Sequence, residues 1–186
     1  MTVQTQEKLL SLMTAEVYEV NQANGWFDDN REFDDDVALL HSEVSEMFEA
    51  YRSWGYADAT SSGVIDPAKV AALAGVPAKP EGFGSECADV LIRLLDTSFR
   101  QGMTFLWDTL AEVDDYENFD PYRSIGGHIS RLHALIARIQ PGTSLNPTLA
   151  YLVTWCRNLG IDLQGEYDRK LAFNATRGHK HGGKRI

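Results

Sequence analysis

Glu43 and Glu46, and again Glu86 and Asp89, are acidic pairs spaced three residues apart inside segments whose apolar residues recur at helical intervals. On a helix, positions three apart project from neighbouring points of one face, so each pair presents two carboxylates to one place. Like charges at that spacing cost a helix roughly a few tenths of a kcal/mol. Bringing two such faces together without a counter-ion would cost far more, and a cation reverses the sign. Hard cations favour carboxylate oxygens and keep water-filled positions, which suits them to gripping phosphates. The four acids therefore predict a Mg²⁺ site, with Mn²⁺ as an alternative occupant.

A second constellation lies near the end of the chain. Tyr167, Lys170, Asn174 and Arg177 fall at intervals of three, four and three, which aligns an aromatic ring, two cations and an amide along one helical strip. Tyr167 can lie against a base or sugar, and Asn174 can both donate and accept. Lys170 and Arg177 match phosphate oxygens, Arg177 with a bidentate fork. The run from His179 to Lys184 adds cations on a glycine-rich backbone. Trp26, Phe27 and Trp54 are further rings that can stack on a base, each of them equally suited to core packing. His179 and His181 have no local Cys or carboxylate to complete a zinc set, so phosphate contact or a disordered basic terminus suits them better.

The elements that must position these groups read as helices throughout. A first helix is predicted over residues 3–23 and a second over 36–54, where Val37, Leu40, Val44, Met47, Phe48 and Tyr51 form one apolar stripe. Glu43 borders that stripe, Glu46 lies about 60° beyond it, and Glu49 turns outward. Residues 55–84, rich in Gly, Ala, Ser and Pro, read as a long connection with one short helix near 68–74 that can act as a flap. Residues 85–101 repeat the acidic-edged pattern and stop at Gly102. Further amphipathic helices are expected over 103–116, 125–139 and 146–159, the last running from Pro147 to Gly160. Strand alternation is almost absent, so the expected class is an all-α helical bundle.

Both constellations together resemble the MazG-like branch of the all-α nucleoside triphosphate pyrophosphohydrolases, a superfamily that includes dimeric dUTPases. The resemblance covers Asn24-Gly-Trp-Phe with Leu-Leu-His-Ser-Glu43-Val-Ser-Glu46, then Lys79-Pro-Glu-Gly-Phe-Gly-Ser-Glu86-Cys-Ala-Asp89, and finally Lys170-Leu-Ala-Phe-Asn174-Ala-Thr-Arg177 through His181-Gly-Gly-Lys184. It implies a single domain over residues 1–186, with Glu43, Glu46, Glu86 and Asp89 as metal ligands. It also implies nucleotide contacts from Lys170, Asn174 and Arg177 in a tail spanning 166–186, where Lys184 is a further candidate substrate contact as a cation of the terminal run. Tyr167 and Trp26 join the candidate substrate contacts for their rings. Some members carry an extra Glu where this chain has Ser42, so a base role that depends on that residue does not transfer. Compact members also lack the equivalent of residues 103–158, an inserted stretch that either enlarges a dimer interface or folds back on the bundle.

Length and composition fit that reading. At 186 residues with 44% hydrophobic content, the chain suits one domain with a real core. No apolar run is long enough to span a bilayer and the first residues do not resemble a secretion signal, so a cytoplasmic protein with no membrane contact is expected. Cys87 and Cys156 read as buried free thiols. The net charge of −10 is unevenly spread, because residues 169–186 carry six of the 17 bases and none of the 27 acids. A body of −16 discourages wrapping duplex nucleic acid, while the +6 tail suits a compact anion.

The expected activity is therefore Mg²⁺-dependent cleavage of a nucleoside triphosphate between its α and β phosphates, releasing monophosphate and pyrophosphate, in a nucleotide housecleaning role. Glu46 is the candidate general base, and the resemblance implies a homodimer or a dimer of dimers. The alternative is a non-catalytic nucleotide-sensing or interaction protein. Within the enzyme class, dUTPase- or dCTPase-type specificity is the narrower variant.

Overall fold

The computed structural model describes residues 7–56 and 79–183. Over these residues the chain is all-helical, with α1 (Leu10–Ala23), α2 (Phe33–Trp54), α3 (Phe83–Gln101), α4 (Ile125–Ile136), α5 (Asn146–Leu159), α6 (Leu163–Asn174) and a kinked turn, α7 (Lys180–Gly183). No described helix is long and apolar enough to cross a membrane.

The centre of the fold is α3, which packs against α1, α2, α5 and α6. Thirteen of its 19 residues are buried, among them Phe83, Leu91, Leu94 and Leu95. A helix covered on nearly every side is expected to be apolar all round. Yet α3 also carries Glu86, Asp89, Arg93 and Asp96, and their placement decides the site. Its other main neighbour pairs are α2 with α4 and α4 with α5, so the stretch 103–158 folds back over α2 and α3. His41 of α2 and His133 of α4 stack at that contact, with ring centroids 5.0 Å apart.

Local chemistry explains the boundaries. α2 starts at Phe33, three residues before the sequence pattern suggests, because Glu32 and Asp35 form a capping box and Asp34, Asp35 and Asp36 complement the helix dipole in the first turn. α5 begins with Pro147 in its first turn and ends at Gly160, which adopts φ 70°. α4 stops at Ile136, three residues short of the expected end, although Ile139 remains buried in the turn that follows.

Residues 103–116 correct the expectation of a helix, because they form an irregular segment of turns. The physical reason is a period of two: Met103, Phe105 and Trp107 pack inward while Thr104, Leu106 and Asp108 face solvent. Leu110 and Val113 continue into the core, and Arg157 of α5 fixes the segment by donating to the carbonyls of Leu110, Ala111 and Val113. The expected first helix is also shorter, since residues 7–9 precede it in extended form and Leu9 pairs with Thr109. The short helix expected near 68–74 lies outside the described residues.

Candidate metal and phosphate site

Neighbouring faces of α2 and α3 bring the four acidic candidates to one region, closed on a third side by α6. Glu86 is 93% buried and Asp89 is largely buried, whereas Glu43 is half-buried and Glu46 is exposed. Lys170 of α6 enters between the α3 pair. Its Nζ lies 2.6 Å from Asp89 Oδ2 and 3.6 Å from Glu86 Oε1, and it donates to Ser85 Oγ at 2.9 Å. The ammonium is only 4% exposed.

Arg93, one turn beyond Asp89, donates to Glu43 Oε1 at 2.9 Å. The four carboxylates outnumber the cations that reach them, Lys170 and an Arg93 shared with Asp96. Glu46 makes no ion pair with any described residue. Glu86 Oε2 is buried with no donor hydrogen-bonded to it, although the Glu86 and Asp89 carboxyl groups are in hydrogen-bond contact with one another. An unpartnered, buried carboxylate oxygen is costly and rare. A bound cation would supply what this oxygen lacks, as would a proton on Glu86 shared with Asp89.

The electrostatics agree in direction. Burial pushes the Glu86 carboxyl up to about 7; Lys170 pulls the other way, and the nearby Asp89 and Glu46 add to the rise. Asp89 is also raised by burial, against the attraction of Lys170. Burial works to lower Lys170, but Asp89 and Glu86 outweigh it and the net shift is upward. The ammonium therefore stays charged, while Glu86 and Asp89 hold a proton more readily than free carboxylates do.

Along α6, Asn174 lies one turn beyond Lys170. Its backbone carbonyl accepts from Asn24 Nδ2 at 2.9 Å, while its side-chain Oδ1 is buried without a partner. Arg177 is half-buried, 5.9 Å above the Phe173 ring, and engages no carboxylate among the described residues. Both keep capacity for a ligand.

Two candidates are placed differently from the sequence expectation. Tyr167 is completely buried, and its hydroxyl donates to Met13 O and lies 3.0 Å from Glu16 Oε2, so its ring has no face left for a base. The helical strip holds from Tyr167 to Asn174, where α6 ends, so Arg177 lies in the turn beyond it, and the first member, Tyr167, points under α1. Tyr167→Phe is expected to cost about 1 kcal/mol of stability, read by urea unfolding, and to leave nucleotide affinity unchanged. A large loss of affinity would return the ring to the site.

The end of the tail is docked. His179 Nε2 lies 2.8 Å from Asp28 Oδ2, Lys180 pairs with Asp29, and Lys180 N donates to Asn24 O at 2.8 Å. Gly25 permits this approach: at φ 78° it lacks the Cβ that would collide with the His179 ring. Lys180 is thus already paired with a carboxylate, and the His179 ring is engaged by another. Trp26 is half-buried, edge-on to His181, and lines a cavity of about 170 Å³ with Asp29, Asn30, Arg31, Asp35 and Lys180. Lys184 lies outside the described residues.

Sequence reasoning missed Arg93 and, behind it, a buried charge network. Arg31 pairs with both Asp36 and Asp96, and Arg93 and Arg100 lie 3.5 and 3.4 Å from Asp96 Oδ2. The spacing held the signal: Glu86, Asp89, Arg93, Asp96 and Arg100 recur at three, four, three and four along α3. The described residues form an all-helical protein in which carboxylates of α2 and α3 meet Lys170 of α6, and among them no group of three or more His, Cys, Asp or Glu is placed to hold a metal ion. Comparison with known proteins gives no match, whether to a family model, a curated protein or a solved structure.

Proposed function

We propose that this protein hydrolyses nucleoside triphosphates between the α and β phosphates with the help of a divalent cation, as its resemblance to MazG-like pyrophosphohydrolases implies. The observation that carries the reading is the buried Glu86 carboxyl, whose Oε2 has no donor, beside Asp89 and next to the helix that bears Lys170 and Asn174. Glu43, Glu46, Glu86 and Asp89 would hold Mg²⁺ or Mn²⁺. When bound, the cation supplies charge neutralisation on phosphoryl oxygens and acidifies water.

The chain's own groups do the rest. Lys170 on α6 and Arg177 in the turn that follows it offer two cationic contacts to a phosphate chain. Asn174 Oδ1 can accept a hydrogen bond from a sugar hydroxyl or a base amine. Glu46, exposed and unpaired, is the carboxylate able to take a proton from an attacking water. Lys170 and Arg177 then also stabilise charge on the departing pyrophosphate.

The test is pyrophosphate release from a panel of ribo-, deoxy- and modified nucleoside triphosphates with Mg²⁺ or Mn²⁺. Glu43→Ala is expected to lower the rate ~100-fold or more. Glu46→Gln should lose turnover while retaining nucleotide binding, and full turnover in that variant would end its role as base. A folded protein that binds nucleotides but releases no pyrophosphate from any of them would be a sensor rather than an enzyme.

A further inference from the structure

We propose that Lys170 is a built-in counter-cation that occupies the divalent ion's place in the metal-free protein, and that metal binding and Lys170 insertion exclude one another. The inference rests on the metal-site reading above and adds an exchange step to it. The ammonium sits 2.6 Å from Asp89 Oδ2 and 3.6 Å from Glu86 Oε1, and with 4% exposure it has no water shell of its own. Magnesium ligands approach to about 2.1 Å. A dication on the same Asp89 oxygen would therefore stand within a few ångströms of a full positive charge, at a site too buried for water to screen it. The two cannot share the α3 pair.

One ammonium is also an incomplete substitute. It stands 3.6 Å from Glu86 Oε1 and donates nothing to Oε2, so the lysine-filled state is a holding arrangement that a stronger cation can displace. The side chain is suited to moving, because Lys is a point charge on a flexible four-carbon stem. Displaced from Asp89, the ammonium leaves the α3 pair and becomes available to solvent or to a bound phosphate. Ser85 is the third group affected: its hydroxyl accepts from Lys170 and itself donates to Pro80 O at 3.0 Å, so withdrawal of the lysine reaches the backbone leading into α3. Metal would load first and prepare the phosphate contact.

The first experiment uses wild-type protein without nucleotide. Amine acylation read by peptide mass spectrometry should find Lys170 protected in chelator, and its labelling should rise roughly tenfold or more with saturating Mn²⁺, relative to Lys8. The second measures Mn²⁺ affinity by titration. Lys170→Met is expected to bind Mn²⁺ at least ~10-fold more tightly than wild type, and Glu86→Gln to bind it weakly or not at all. Mn²⁺ binding by wild type with Lys170 still protected, or equal or weaker binding by Lys170→Met, overturns the exchange and leaves the metal site standing. No Mn²⁺ binding by either folded protein removes the metal site and the exchange with it. Binding by Lys170→Met alone supports the exchange in its strongest form.

Discussion

Asp96→Ala is expected to destabilise the protein by ~3–5 kcal/mol, a large share of the ~5–15 kcal/mol that holds a typical domain together. Asp96 is 1% exposed and serves as the shared anion for three guanidinium groups, Arg31, Arg93 and Arg100, while its Oδ1 accepts from Asn21 at 2.9 Å. Burial alone would raise its pKa, but Arg93, Arg31 and Arg100 outweigh burial and hold the carboxyl below its usual range. Alanine leaves those cations facing one another with Asp36 as the remaining deep anion. Urea unfolding at neutral pH reads the loss, and Glu49→Ala is the control. Glu49 pairs with Arg52 in full view of solvent and is expected to move stability by less than about 1 kcal/mol. Equal effects from the two variants would show that the network is only surface-grade. A depressed carboxyl contributes stability above its unfolded pKa and loses it as pH falls through the lower folded value. Wild type should therefore lose part of its advantage over Asp96→Ala on acidification below about pH 4. The effect reaches the site, because Arg93 divides its charge between Asp96 and Glu43. Freed from Asp96, it would hold Glu43 harder and weaken any cation bound there.

What the sequence made legible was periodicity. The stripes of Leu40, Val44 and Met47 in α2 and of Val90, Leu91, Leu94 and Leu95 in α3 are buried as their spacing requires, and those stripes set which way the acidic edges point. Gly102 and Gly160 both end helices with positive φ, as their positions suggested. Spacing failed where two structures share one composition. Residues 103–116 hold apolar residues that satisfy a helical template on paper, yet Met103, Phe105 and Trp107 alternate against α3 and α5 as an extended piece. The partner of a charged residue was also beyond reach. Helical geometry puts Tyr167 and Lys170 on one strip, but only the packing of α1 decides that Tyr167 is covered, and only the crossing of α3 and α6 puts Lys170 among carboxylates. The ladder from Glu86 to Arg100 was readable as a pattern. Its burial was not, since a three-four spacing of charges ordinarily marks a solvated face.

Glu86→Gln should act in opposite directions on stability and on turnover. Gln keeps the shape of the side chain and removes a charge from a place that resists one. In the folded protein the carboxyl is pushed up from 4.5 to about 7, so the native state binds that proton more tightly than the unfolded chain does. The stability this represents is present below the unfolded value and is lost as pH rises toward 7, amounting to at most about 3 kcal/mol. Metal-free Glu86→Gln is accordingly expected to melt above wild type at pH 8, with the difference closing near pH 5. Mn²⁺ should then reverse the order, because a ligand that binds only the native wild type raises its stability by mass action and the variant has lost the ligating charge. Pyrophosphate release should fall ~100-fold or more alongside. Thermal melts at both pH values, in chelator and in Mn²⁺, separate the possible causes. A variant less stable than wild type in chelator at pH 8 would mean that attraction between Glu86 and Lys170 outweighs the cost of burying the charge. The partnerless Oε2 would then be tolerated without a cation, and the main support for a metal at this cluster would be gone.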